Sequence, residues 1–151
     1  MAKKIALGAD HGGFLLKEKV KKFLLANNYK VVDAGTFSDA PCDYPEFGYS
    51  AAEFVSKKKA WRAIVVCKSG IGMSIVANKL SGVRAGLCTS VDDAASAREH
   101  NDTNVLVLSA KKTNIREALK IVEKWLMTEA LPGRHARRVR AIKKIEKKVF
   151  R

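Results

Sequence analysis

The 151-residue sequence predicts an α/β fold: one doubly wound domain of three αβα layers, with a five-stranded parallel sheet and an added C-terminal helix. Three observations predict it. Short, continuous apolar runs, each followed by a loop and a helical stripe, recur five times. Such runs belong to strands buried on both faces, as parallel strands covered by helices are. The chain carries no repeat, low-complexity tract or interdomain linker, and its length suits one domain spanning residues 1–151.

Taken in order, "KIALGA" is the first strand, closed by "DHGG". "FLLKEKVKKFLLANN" follows, with Phe14, Leu15, Val20, Phe23 and Leu24 forming a helical stripe. "YKVVDAG" is the second strand. A long polar loop, "TFSDAPCDYPEFG", leads into a helix that starts near Pro45. "AIVVC" and "GMSIVANKL" are the third strand and helix. "VRAGLCT" is the fourth strand, and Ser90 caps the helix "SVDDAASAREHN". "NVLVLSA" is the fifth strand, and "TNIREALKIVEKWLMTEAL" is a long helix capped by Thr113 or Asn114. Pro132-Gly133 breaks the chain before the final helix, residues 134–151. Its stripe of Val139, Ile142, Ile145 and Val149 is more than a lone surface helix needs, so it is expected to pack on a second subunit.

The formal charge is +14, and nine of the 29 Lys and Arg residues fall after Gly133 against a single glutamate. A basic tail suits an anionic partner, and equally the solvated face of a helix. Interleaved aromatics and nucleic-acid-binding motifs are missing, so nucleic acid is not the expected partner. No segment approaches the roughly 20 apolar residues of a membrane helix. The opening "MAKKIALGADHGG" has too brief an apolar run for a signal peptide. Three cysteines without a CxxC fit a reducing cytoplasm.

In doubly wound folds, ligands bind beyond the carboxyl ends of the strands. The loops assigned there hold Asp10-His11, Asp43-Tyr44, Cys67 with Ser69 and Gly70, and His100-Asn101. Singly, Cys67 reads as a small buried strand-end residue, Asp10 as a helix cap and His100 as a helix C-terminal residue. Gathered on one rim, they read as a reactive set. Cys42 and Cys88 have no such company and read as structural.

"GIGMSI" lacks the third glycine of a dinucleotide fingerprint and follows the third strand, not the first. It offers backbone N–H groups from Gly70 through Ile71, Gly72 and Met73 to Ser74. Such a nest binds an anion, including one formed during a reaction. A thiolate beside it suits proton abstraction next to a carbonyl. Arg134 and Arg138, four residues apart, share a helix face that suits a phosphate or simply solvent, and His11 could complete such a site. The three histidines have no metal-ligand spacing, and no cofactor is implied.

"GADHGG", "DYP", "C-x-SGIG-x-S-x-x-ANK", "EHNDTNVL" and "GRHxxRV" occur in this order along nearly the whole chain. Together they resemble the type B ribose-5-phosphate isomerase family, which includes allose- and galactose-6-phosphate isomerases. The resemblance implies a sheet of order 2-1-3-4-5 and a homodimer, or a tetramer, whose active sites are shared between chains. It implies an aldose–ketose isomerase of the pentose phosphate pathway that interconverts ribose 5-phosphate and ribulose 5-phosphate through a cis-enediolate, or else an isomerase of a six-carbon phosphosugar. Cys67 would be the base, and Ser69 would assist proton movement at the oxygens. Gly70 to Ser74 would hold the enediolate. His100 would open the furanose ring with help from Asp10, and Asn101 and Tyr44 would bind hydroxyls. His11, Arg134 and Arg138 would bind the phosphate. His100 and Asn101 would come from the neighbouring chain.

Three positions depart from the family pattern. Met73 stands where some relatives have glutamate, leaving the proton transfer to Cys67. Lys68 replaces the usual glycine; because the backbone turns at the strand's end, its ammonium is expected to lie near the thiol and favour the thiolate, the alternative being that it points into solvent. Lys111 replaces a phosphate-binding arginine and loses the bidentate fork.

Overall fold

The structure, a computed structural model, describes residues 2–150. Five parallel strands alternate with helices: β1 (Lys4–Ala9), α1 (Phe14–Ala26), β2 (Lys30–Asp33), α2 (Tyr44–Ser56), β3 (Arg62–Cys67), α3 (Ile71–Ala77), β4 (Ala85–Leu87), α4 (Val91–Asn101), β5 (Val105–Ser109), α5 (Ile115–Met127) and α6 (Arg134–Val149). The three interior strands are the apolar runs, and all but one of their residues are buried.

Strand alternation divides the core in two. Ile5, Leu7, Ile64, Val66, Leu106 and Leu108 face α1, α4 and α5. Ala6, Val65, Cys67, Val105 and Val107 face α2 and α3. Each large aliphatic side chain so buried contributes about 1.5–3 kcal/mol.

The sheet order is β2-β1-β3-β5-β4, which corrects the expected 2-1-3-4-5. β5 pairs with β3 on one side and β4 on the other. The reason lies in the two sequences. "VLVLS" is wholly buried, whereas "AGL" is three residues long and half-buried, so the more apolar strand takes the interior and the glycine-bearing one the edge. Asn78 blunts that edge: its amide nitrogen donates to the Ala85 carbonyl and its amide oxygen accepts from the Ala85 N–H.

On α1 the buried face runs through Leu16, Lys17, Val20 and Leu24, while the expected Leu15 is exposed. Lys17 belongs to the interior because it meets both carboxylate oxygens of Asp33 at 2.7 Å, tying α1 to the end of β2. Ser90 caps α4 and Asn114 caps α5, each accepting an N–H from three residues on. On α6, Val139 is buried, whereas Ile142, Ile145 and Val149 are exposed.

Candidate active site

The carboxyl ends of β1, β3 and β5 are sewn together by the main chain. Asp10 N–H donates to the Val66 carbonyl, Ala110 N–H to the Cys67 carbonyl and Lys111 N–H to the Lys68 carbonyl. Cys67, the last residue of β3, points into the α2–α3 side and is 4% exposed. The chain then turns sharply, with Gly70 at φ +82°, and the Gly70 N–H donates to Cys67 Sγ at 3.1 Å.

The loop's N–H groups are not all open. Ile71 N–H donates to Ser69 Oγ, and Ser74 N–H closes the first helical turn on the Gly70 carbonyl. Of the five expected donors, Gly70 to Ser74, the N–H groups of Gly72 and Met73 alone are left without a protein acceptor among the described residues, so the nest narrows to two donors. The Met73 side chain is fully buried, its sulfur packed toward Gly48 of α2.

Tyr44, at the start of α2, lays its ring directly over Gly72, where a Cβ would collide with it. Asp10 is buried and accepts from the Gly13 N–H at 3.0 Å, steadying the entry to α1. His11 is exposed, its Nδ1 3.1 Å from both the N and the O of Cys42, which ties it to the loop before α2. Cys42 thereby serves the loop. Cys88 is structural as expected, buried with its thiol pushed up to about 12 by burial and by Asp93. Lys68 is exposed, and its Cβ lies beside Gly12 on the α1 side, away from the face that carries Cys67. Lys111 follows β5 next to it.

His100 and Asn101 do not share this rim in one chain, which corrects their expected placement. α4 leaves the carboxyl end of β4 and runs back, so its last turn lies at the amino edge, just before β5. Asn104 there accepts the N–H of Ala63 at the start of β3. Cys67 is four residues further along that strand, about 13 Å at 3.3 Å per residue. Arg134 and Arg138 accompany His100, because α6 starts at the same edge: the His135 ring stacks on that of His100 with centroids 4.3 Å apart. Both arginines are exposed, and neither forms an ion pair among the described residues. The candidate residues thus fall into two separate clusters, one with Asp10, His11, Tyr44, Cys67, Ser69, the loop and Lys111, the other with His100, Asn101, Arg134 and Arg138.

Sequence reasoning missed what supports the second half. Asp102 adopts a left-handed conformation, and its carboxylate takes one guanidinium from Arg84 and another from Arg98. Thr103 Oγ1 accepts the Trp125 indole N–H. The Asn104 side chain holds Arg84 N–H and the Gly82 carbonyl. The "DTN" of "EHNDTN" is therefore scaffolding, and only its polar density beside a histidine could have hinted at it.

A family model described as Ribose/Galactose Isomerase matches residues 5–142. Ribose-5-phosphate isomerase B of Escherichia coli (strain K12) is 40% identical over 146 residues, which are 97% of this chain and 98% of that protein. Among solved structures, ribose-5-phosphate isomerase B of Clostridium thermocellum aligns with a TM-score of 0.94 at 46% identity, over 97% of this chain and 99% of that one. Ribose-5-phosphate isomerase B of Mycoplasma genitalium, solved with bound ribulose 5-phosphate, aligns with a TM-score of 0.93 at 38% identity, over 97% and 98%.

Proposed function

Since the chain belongs to the ribose/galactose isomerase family, we propose that it interconverts ribose 5-phosphate and ribulose 5-phosphate through a cis-enediolate, as a step of the pentose phosphate pathway. The observation that carries this reading is the loop after β3, which sets a thiol and two unused backbone donors side by side at the carboxyl edge of the sheet.

The chemistry runs in two stages. In ring opening, His100 gives a proton to the ring oxygen as the C1–O bond breaks, and Asp10 takes the proton of the C1 hydroxyl. In isomerisation, the Cys67 thiolate removes the C2 proton of the open aldose. Negative charge then develops on O1, facing the N–H groups of Gly72 and Met73. Ser69 moves the hydroxyl proton from O2 to O1, and Cys67 returns its proton to C1, which leaves the ketone at C2. Tyr44 and Asn101 bind hydroxyls. His11, Lys111, Arg134 and Arg138 bind the phosphate.

The site is completed by a second copy of the chain. Two half-sites at opposite edges of one sheet support this, as does a groove of about 750 Å³ between α6 and the β4 edge, lined by the exposed Ile142, Ile145 and Val149. We place the enzyme in the cytoplasm, where its three free cysteines remain reduced. Among the described residues, no helix is long and apolar enough to cross a membrane.

Turnover on ribose 5-phosphate against allose 6-phosphate and galactose 6-phosphate tests the substrate. The expected result is a kcat/KM for the five-carbon sugar at least about tenfold higher, since one misplaced phosphate contact is worth a kcal/mol or more. A six-carbon preference would reassign the enzyme within the family.

A further inference from the structure

We propose that His135 is a positioning residue for His100: its ring stacks on the His100 imidazole and holds it flat for the ring-opening proton transfer. This rests on the reading that His100 opens the furanose ring. The motif "GRHARRV" contributes two of its three arginines, Arg134 and Arg138, to the phosphate site of that scheme, and its histidine has no role there.

Geometry singles that histidine out. The rings of His100 and His135 are 12° from parallel with centroids 4.3 Å apart. They lie where the last turn of α4 packs against the first turn of α6. His100 is exposed, so without the stack nothing on its own helix would fix the ring plane. A proton donor must be held within a narrow angular range of the oxygen it protonates.

The surroundings also act on the His135 ring. The charged groups facing the pair are Glu99 and Asp102 from α4 and its cap, and Arg134, Arg138, Arg140 and Lys143 from α6; the α5–α6 connection offers only Ala130 and Leu131. Asp102 is already engaged by Arg84 and Arg98. Desolvation, His100, Arg134 and Arg138 together hold the His135 imidazole below its ordinary value, with Glu99 the opposing influence. Its place in the first turn of α6 acts the same way, since a helix N-terminus disfavours a cation. Two stacked imidazolium rings would repel, and the lowering at His135 works against that repulsion in the stack.

Two reactions separate ring opening from the thiol chemistry. Isomerisation of ribose 5-phosphate needs the ring opened. Deuterium wash-in from heavy water at C1 of ribulose 5-phosphate needs only the enediolate. His135→Ala is expected to lower kcat for isomerisation at least about tenfold, within the range of a general-acid contribution, while wash-in stays within about threefold. His135→Phe keeps a flat ring that cannot be protonated and is expected to recover most of the loss. His100→Asn serves as the control and should show the same split. If His100→Asn is impaired and His135→Ala isomerises normally, the stacking role is refuted. If His135→Ala raises KM alone, or if His135→Phe is as poor as His135→Ala, His135 is a phosphate contact and the proposal fails. If His100→Asn itself isomerises normally, it is the ring-opening role of His100 that is wrong.

Discussion

The Gly70 N–H donates to Cys67 Sγ at 3.1 Å, closing a three-residue turn between the end of β3 and the start of α3. One donor thus meets the sulfur, while the next two free ones, on Gly72 and Met73, follow in the first turn of α3. The thiol and the two proposed oxyanion donors are set by a single backbone conformation. Replacing either end of that contact should therefore act on the proton transfer itself.

Cys67→Ala is expected to abolish both ribose 5-phosphate isomerisation and C1 wash-in, by at least about a hundredfold, because the Met73 side chain is buried and supplies no substitute base. Its melting temperature should change little, since one small buried atom group is lost at about 1 kcal/mol. Gly70→Ala should lose both reactions too, and stability with them, because residue 70 sits at φ +82° and a Cβ would press on Leu87. A Cys67→Ala enzyme with near-normal turnover would move the base elsewhere.

Tyr44 and Gly72 give a second test. The phenol ring covers the glycine so closely that any side chain at position 72 must push it away. Gly72→Ala is expected to raise KM and lower kcat, about tenfold or more in kcat/KM, by displacing the ring proposed to contact the sugar and the donor beneath it. Tyr44→Phe, which keeps the ring over Gly72, should cost far less. Steady-state kinetics on both variants decides it, and equal losses would make the hydroxyl the important part.

For Lys68 the expected outcome is the absence of an effect. Adjacent residues on a strand point to opposite faces, and the turn after β3 does not reverse this: Cys67 faces α2 and α3, while the Lys68 Cβ lies against Gly12. Lys68→Gly should leave the rate of iodoacetamide alkylation of Cys67 at pH 7 within about twofold, as expected of a solvated charge. A several-fold slower alkylation would bring the ammonium back to the thiol.

What the sequence made legible was local. Apolar runs located every strand, Ser90 announced one helix start and Thr113 or Asn114 another, of which Asn114 is the cap, and "CKSGIGMS" marked the turn from β3 into α3. What it hid depended on partners far along the chain. The order of β4 and β5 is a choice between neighbours, although Gly86 beside an unbroken "VLVL" favoured the edge for β4. The direction of α4, which carries His100 away from Cys67, follows from connectivity rather than residue type. Lys17 looked like a solvent residue because its partner, Asp33, lies 16 positions away. The His100–His135 stack spans 35 positions and has no periodicity to reveal it.

The Lys17–Asp33 pair also sets a pH dependence of stability. Burial alone would push the Asp33 carboxyl up, but hydrogen bonds from Lys17, the Gly35 N–H and Lys21 outweigh it and hold the group below the usual carboxylate range. A carboxyl with a depressed value in the folded state stabilises the fold fully above its unfolded value, near 3.9, and loses that contribution as pH falls through the folded value. Asp33→Asn cannot show this loss, yet it leaves the fully buried Lys17 ammonium with only Glu18 nearby, at 3.1 Å. At pH 7 the variant should be less stable by about 3 kcal/mol, the cost of breaking a buried pair from one side. Urea unfolding at fixed protein concentration, repeated from pH 7 to pH 3, should show the gap between the two proteins narrowing below about pH 4 as Asp33 takes up its proton. A gap that stays constant down to pH 3 would mean that the carboxylate charge contributes nothing there and that Asp33 acts only as a hydrogen-bond acceptor.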